Sequence, residues 1–227
     1  TTVARAPIDP SRQNKKGTIT DLDASGGFNT DFTKTNLVRL LQGFFFADAR
    51  ELPSTQPLNA AAVALTSVNS GTKTYAAASG LAAFVAGQLV FASGFTNAAN
   101  NGLKTVASST AGTVVVAETV VTEAAPPAAA KLQTVGFQFA SADINLTVVS
   151  GVPSLIATAA DFTTLPGLIP GLWVFIGGDD SANRFANNVG YARIKSIAAK
   201  AIVFDDTTFT PATEAGTGKT IRLFVGT

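Results

Sequence analysis

The spacing of apolar positions changes near residue 50. Between residues 34 and 48 (KTNLVRLLQGFFFAD), Leu37, Leu40, Leu41, Phe44 and Phe45 fall at i, i+3, i+4, i+7 and i+8. That spacing predicts an amphipathic helix. Thr35 or Asn36 can cap its start, and Leu52-Pro53 closes the element or its exit. Phe44-Phe45-Phe46 places aromatics around a full turn, which suits a core helix or one packed between subunits. Beyond residue 55 the chain becomes short runs of Val, Ile, Leu, Phe and Thr cut by Gly, Asn, Asp and Ser. This texture predicts many antiparallel strands. Strands are expected at 88–92, 103–107, 113–117, 143–149, 172–176, 192–197, 201–204 and 220–225. Residues 124–130, with Pro126-Pro127, read as a linker. Residues 1–30 show no periodicity; Pro7, Pro10, Gly17, Gly26 and Gly27 predict an extended arm. The expected fold is mainly β, an antiparallel sandwich or barrel with one helix, comprising an arm at 1–30 and a β domain at 31–227.

An internal repeat organises the β region. Gly87, Val90, Phe91 and Gly94 match Gly171, Val174, Phe175 and Gly178 at an offset of 84. Past a four-residue insertion, Gly102, Val106, Ser108 and Val116 match Gly190, Ile194, Ser196 and Phe204 at an offset of 88. Each copy reads strand, Gly/Asn-rich loop, strand, tight turn, strand. The copies span approximately 60–123 and 140–210, and two such units paired face to face make a sandwich or a pair of small barrels. Trp173 aligns with Leu89, which favours packing over ligand stacking at that position.

Composition narrows the chemistry. The 227 residues contain no Cys, His or Met, which removes disulfides, thiolate and imidazole metal sites and His-based triads. Charged residues make up 14%, against roughly 25% in ordinary soluble chains. Arg5, Arg12, Lys15 and Lys16 against Asp9 give residues 1–16 a charge of +3, leaving −2 on the rest of a chain whose total is +1. A basic face able to neutralise many phosphates is therefore not expected on the body. Residues 76–103 carry no charge, yet Gly80, Gly87 and Gly94 punctuate them, and the related later segment carries Asp179 and Asp180. A β unit is expected there rather than a membrane span. No basic stretch leading into an apolar run opens the sequence, so no signal peptide is expected. The sequon Asn145-Leu146-Thr147 then carries no weight.

Few motifs suggest chemistry. Gly216-Thr217-Gly218-Lys219-Thr220 resembles the end of a phosphate loop, but Thr213 stands where the motif needs glycine, and a strand rather than a helix follows. Asp179-Asp180 with Asn183, and Asp205-Asp206, are the acidic doublets. They can be read as a calcium site, as an acid–base pair or as solvated turns, and turn formation suits Asp best. No catalytic residue, metal ligand or cofactor is expected.

The segment DFTKTNLVRLLQGFFFADARE (31–51) and the twin segments around GFTNAANNG and GDDSANRFANNVG resemble the tail tube proteins of long, non-contractile-tailed bacteriophages. The resemblance implies subunits in six-fold rings, stacked into a hollow tube lined by a continuous β-barrel, with DNA passing through the lumen without sequence-specific binding. It implies a virion tail location after assembly in the bacterial cytoplasm, no membrane, and tape-measure, tail-terminator and distal-tail proteins as partners. On this reading Arg5, Arg12, Lys15 and Lys16 form an inter-ring arm, and Leu37, Leu40, Leu41, Phe44 and Phe45 form a packing or interface helix. Asn100, Asn101, Asp179, Asp180, Asn187 and Asn188 would make loop contacts. Strand edges would be satisfied by pairing with the next subunit. The duplication also raises a three-subunit ring with pseudo-six-fold symmetry. The competing reading is a virion decoration protein or carbohydrate-binding β-sandwich module, which requires an exposed aromatic platform.

Overall fold

The computed structural model describes residues 2–3, 18–19, 33, 37, 40–41, 52–56 and 61–225. Residues 1–49 and 50–227 form two units, taken in turn. In the first, β1 (Thr2–Val3) pairs antiparallel with β2 (Thr18–Ile19), Thr2 facing Ile19 and Val3 facing Thr18. Leu37, Leu40 and Leu41 have α-helical backbone, and the Leu37 N–H donates to the Thr33 carbonyl at 2.9 Å. Leu40 and Leu41 are exposed rather than buried in a core. Arg5, Arg12, Lys15, Lys16, Phe44 and Phe45 lie outside the described residues.

The second unit holds twelve strands: β3 (Leu65–Asn69), β4 (Thr74–Ala77), β5 (Gln88–Ser93), β6 (Gly102–Ser109), β7 (Thr113–Val116), β8 (Lys131–Gln138), β9 (Ile144–Val149), β10 (Val152–Ala157), β11 (Trp173–Ile176), β12 (Gly190–Ala198), β13 (Ala201–Thr207) and β14 (Arg222–Val225). They form one antiparallel sheet, so the expected mainly-β class holds. Its order is β3-β4-β7-β6-β5-β8-β14-β11-β12-β13-β10-β9. This order reads the same from both ends: β3 to β8 and β9 to β14 follow one topology and meet where β8 pairs with β14. The segments aligned in the sequence repeat lie at β5-β6-β7 and β11-β12-β13. Residues 124–130 do not separate the copies; they form the loop into β8, the last strand of the first copy.

Alternation along the strands sends one face inward, and each copy builds its own core. Val68, Tyr75, Val90, Val106, Val114 and Leu132 centre the first. Leu146, Leu155, Val174, Ile194, Ile202 and Leu223 centre the second. Phe137 and Phe139, at the end of the first copy, pack into the second core. The junction needs a glycine: at Gly136, opposite Phe224, a Cβ would come within 2.3 Å of the Leu223 carbonyl oxygen.

Each copy closes on itself. Val68 of β3 exchanges both backbone hydrogen bonds with Glu123, and Leu146 of β9 does the same with Glu214. One step further along, the Ser70 N–H donates to the Thr122 hydroxyl and the Val148 N–H to the Thr213 hydroxyl. The terminal strands of the sheet thus have their outer edges taken up within the chain at these positions. The backbone groups of Val68, Ser70, Leu146 and Val148 used in this way are not free to pair with another strand.

Candidate functional site

The loop between the third and fourth strands of each copy carries the asparagines singled out in the sequence, and it is held by a duplicated clamp. In the first copy the Glu123 carboxylate accepts from the Thr96 N–H (3.1 Å), the Asn97 N–H (3.2 Å) and the Asn100 amide (2.9 Å). In the second, the Glu214 carboxylate accepts from the Ala186 N–H (2.5 Å), the Asn187 N–H (3.0 Å) and the Asn188 amide (2.9 Å). Asn100 and Asn188 also accept from the Val121 and Ala212 N–H groups. These equivalences resolve the four-residue insertion. Six residues, Asp179–Arg184, are added in the second copy, and Ala98-Ala99 have no counterpart there.

Partial burial works against ionisation of Glu123, but the hydrogen bonds from Asn100, Thr96 and Asn97 outweigh it, and its carboxyl is held below the usual range. Burial likewise opposes ionisation of Glu214, and donation from Ala186, Asn187, Asn188 and Lys219 overcomes it. Burial, followed by the charges of Glu118 and Glu123, pushes the Tyr75 hydroxyl far above its ordinary value; it donates to the Asn100 carbonyl at 2.7 Å.

Of the expected loop contacts, Asn100 and Asn188 are fully buried. Their amides serve the clamp and are not presented to a neighbour. Asn101 is also turned inward, accepting from the Phe95 N–H and donating to the Phe95 and Asn97 carbonyls. Asp179, Asp180 and Asn187 are exposed. Asp180 caps the short turn Ser181–Asn183 by accepting from the Ala182 N–H, which, more than the Ser181 hydroxyl, holds its carboxyl below the usual aspartate range. Asp179 pairs with Arg222 at 3.0 Å, and Arg222 also donates to Gln138. Asp205 accepts two bonds from the Arg193 guanidinium, at 2.8 and 3.0 Å. No cluster of three or more Asp or Glu suited to a metal occurs among the described residues.

A cleft of about 470 Å³ is lined by Gly87, Gln138, Asp143, Asp161 and Leu165, among others. Its two acids are committed to backbone. Asp143 holds the Ala159 and Ala160 N–H groups, and Asp161 caps the turn at Thr163. Residues 217–218 form a turn leading to β14, with no helix behind it to receive a phosphate. Among the described residues no helix is long and apolar enough to cross a membrane; residues 76–95 run from the end of β4 through β5.

Two apolar surface features were not legible as sites. On the outer face of β14, β11 and β12, Phe224 pairs with Phe175, Phe175 with Tyr191, and Trp173 with Arg193. The Phe175 and Tyr191 rings lie 5.1 Å apart, edge to face, and Trp173 and Tyr191 are 41% and 54% exposed. In the first copy, Leu89 at the Trp173 position is fully buried, and Phe91 at the Phe175 position is exposed. The second feature is the β9–β10 hairpin. Ser150 and Gly151 both have positive φ, 51° and 79°, the geometry of a tight two-residue turn. The paired residues Val149 and Val152 flank it, 69% and 41% exposed. Compared with known proteins, the chain matches no family model, no curated protein and no solved structure.

Proposed function

We propose that this chain is a structural subunit that associates with copies of itself into rings. Stacked rings would form the hollow tail tube of a long, non-contractile-tailed bacteriophage, through which double-stranded DNA passes. The observation that carries this reading is the doubled β unit whose exposed apolar side chains are more extensive on the second copy (Val149, Val152, Trp173 and Tyr191) than on the first (Phe91 and Val121). Such asymmetry suits head-to-tail contact between subunits, which closes into rings. Low charge supports it, since surfaces buried between neighbours need few ions. The net −2 beyond residue 16 suits a conduit that must not retain phosphate. Six chains per ring is the proposed arrangement, with the three-chain ring of doubled units as its rival. The implied partners are the tape-measure, tail-terminator and distal-tail proteins. Asp179, Asp180 and Asp205 hold hydrogen bonds within the fold, so alanine at Asp179, Asp180, Asp205 and Asp206 should act only through assembly. Negative-stain electron microscopy of the concentrated protein, at low and moderate salt, tests the reading. Hollow rings or tubes of uniform diameter are expected, and their class averages separate six chains from three. Compact single particles at every concentration would count against it.

The competing carbohydrate-binding reading draws support from one observation. Trp173, Phe175 and Tyr191 share a face beside the Arg193–Asp205 pair, and flat aromatic faces suit sugar rings. Saturable quenching or shift of Trp173 emission by soluble glycans, without any change in mass, would favour it.

A further inference from the structure

We propose that Asn101 is a site of spontaneous deamidation that the native fold holds closed, and that the modified residue does not regain its place in the fold. The inference is independent of the self-assembly reading. The sequence contains one Asn-Gly pair, Asn101-Gly102. An asparagine before glycine is the one most open to attack by its own chain, because glycine has no Cβ to shield its backbone nitrogen. In this reaction the Gly102 nitrogen bonds to the Asn101 Cγ and gives up its proton. The Cγ–Nδ2 bond breaks, and Nδ2 leaves as ammonia with that proton. Solvent water then opens the cyclic imide. Addition at Cγ yields aspartate. Addition at the backbone carbonyl carbon yields isoaspartate, whose main chain runs through the former side chain.

The loop demands both residues of this pair. Gly102 has a φ of 93°, which side chains of L residues rarely allow. Asn101 accepts from the Phe95 N–H at 3.0 Å and donates to the Phe95 and Asn97 carbonyls at 3.0 and 3.3 Å. It thereby fixes both backbone groups of Phe95, a buried residue of the first core whose ring meets that of Tyr75 at 5.2 Å. The same bonds hold the reaction off, since they engage both ends of the amide. Ring closure also needs the Gly102 nitrogen to eclipse Cβ about the Asn101 Cα–C bond, and an extended ψ of 168° keeps the two apart. Gly102 is moreover a sheet residue, paired with Ala92 of β5. Modification therefore proceeds from chains in which this loop has opened, at a rate set by the fraction open. The product no longer fits. In aspartate, an oxygen replaces the Nδ2 donor and faces the carbonyl oxygens of Phe95 and Asn97, which leaves acceptors against acceptors. Isoaspartate adds a carbon to the main chain just ahead of β6 and moves Gly102 off its partner. The second copy has valine, Val189, between its clamp asparagine Asn188 and Gly190. The mark falls on the first copy alone, and it retires chains that have opened there.

The test has two arms, both on the full chain. In the first, the chain is aged folded in buffer and unfolded in guanidinium chloride, at one mildly alkaline pH and one temperature. Peptide mass spectrometry reads aspartate and isoaspartate at position 101. The folded chain should be modified at least about tenfold more slowly than the unfolded one. Equal rates would overturn protection by the fold, and an unfolded chain that stays unmodified at Asn101 would overturn the site itself. The second arm makes the product directly and compares it with a control. Asn101→Asp should lower the urea midpoint or prevent folding altogether. Asn97→Asp adds the same charge to the same loop, on an exposed side chain that caps nothing, and should stay near the wild-type midpoint. A wild-type midpoint for Asn101→Asp, or equal losses in the two variants, would overturn the exclusion of the product.

Discussion

At the scale of single residues, the molecule is organised by two asparagine–glutamate clamps that share four equivalent hydrogen bonds. Asn188 is fully buried and joins Glu214 to both backbone groups of Ala212. Asn188→Ala should therefore destabilise the protein by about 2 kcal/mol or more, since it strands buried polar groups as well as removing bonds. Urea unfolding measures this, and Asn100→Ala should cost a similar amount in the first copy. The clamp carboxyls also predict a pH dependence. Both are held below the ordinary glutamate value of 4.5, so the fold favours the ionised form. Their contribution is complete above that value and is lost as pH falls through the lowered folded values. The pair of changes Glu123→Gln and Glu214→Gln should lower the urea midpoint more at pH 7 than at pH 3; equal losses at both would refute the assignment. The asparagines were legible as turn formers, but nothing in a turn signal says that their amides face inward. The glutamates had a signal of their own: Thr-Glu-Ala occurs at 122–124 and again at 213–215. That tripeptide lies between strands, where strand patterning gives no reason to look.

At the scale of elements, strands rich in Val, Ile and Phe were legible, while β3, β4, β8 and β10 were not. β3 and β4 are short and rich in Ser, Thr, Asn and Ala, which carry little alternation. β10 contains Pro153, ordinarily a sign against a strand. The structure accommodates it because Pro153 pairs only with Val148 of β9, and β13 takes up pairing from Ser154 onward. β8 is hidden by Gly136, and that glycine is what brings the two copies together. Gly136→Ala should cost about 1–3 kcal/mol, the range of an overpacked core, because its Cβ would meet backbone rather than a side chain that can swing away. The β9–β10 turn predicts a change of the opposite sign. Ser150 sits at φ 51°, a conformation that asparagine adopts more readily. Ser150→Asn should raise the melting temperature slightly, with a gain of about 0.5 kcal/mol. A loss of stability would show that the serine hydroxyl matters to the turn.

At the scale of the whole molecule, the duplication is not a string of two independent modules. The repeat in the sequence was legible over β5-β6-β7 and β11-β12-β13, because the turn glycines and apolar positions there stayed in register. The shared topology of all twelve strands was not, since the outer strands have drifted in sequence while keeping their places in the sheet. What couples the copies is the β8–β14 pairing and the crossing of Phe137 from the first copy into the second core, where it is 1% exposed and faces Leu223. A side chain shared in this way ties the stability of one core to the placement of a strand from the other. Phe137→Ala should remove about 3–5 kcal/mol, as for large buried aromatics elsewhere. The loss should appear in the second copy even though the substitution lies in the first. Trp173 sits in the second copy, so its fluorescence follows that half, whereas far-ultraviolet circular dichroism follows both. The two probes should trace one coincident transition in the wild-type chain. In Phe137→Ala the fluorescence transition should move to lower denaturant. If it stays in place while circular dichroism moves, the halves unfold separately, and the second core does not depend on the strand that enters it.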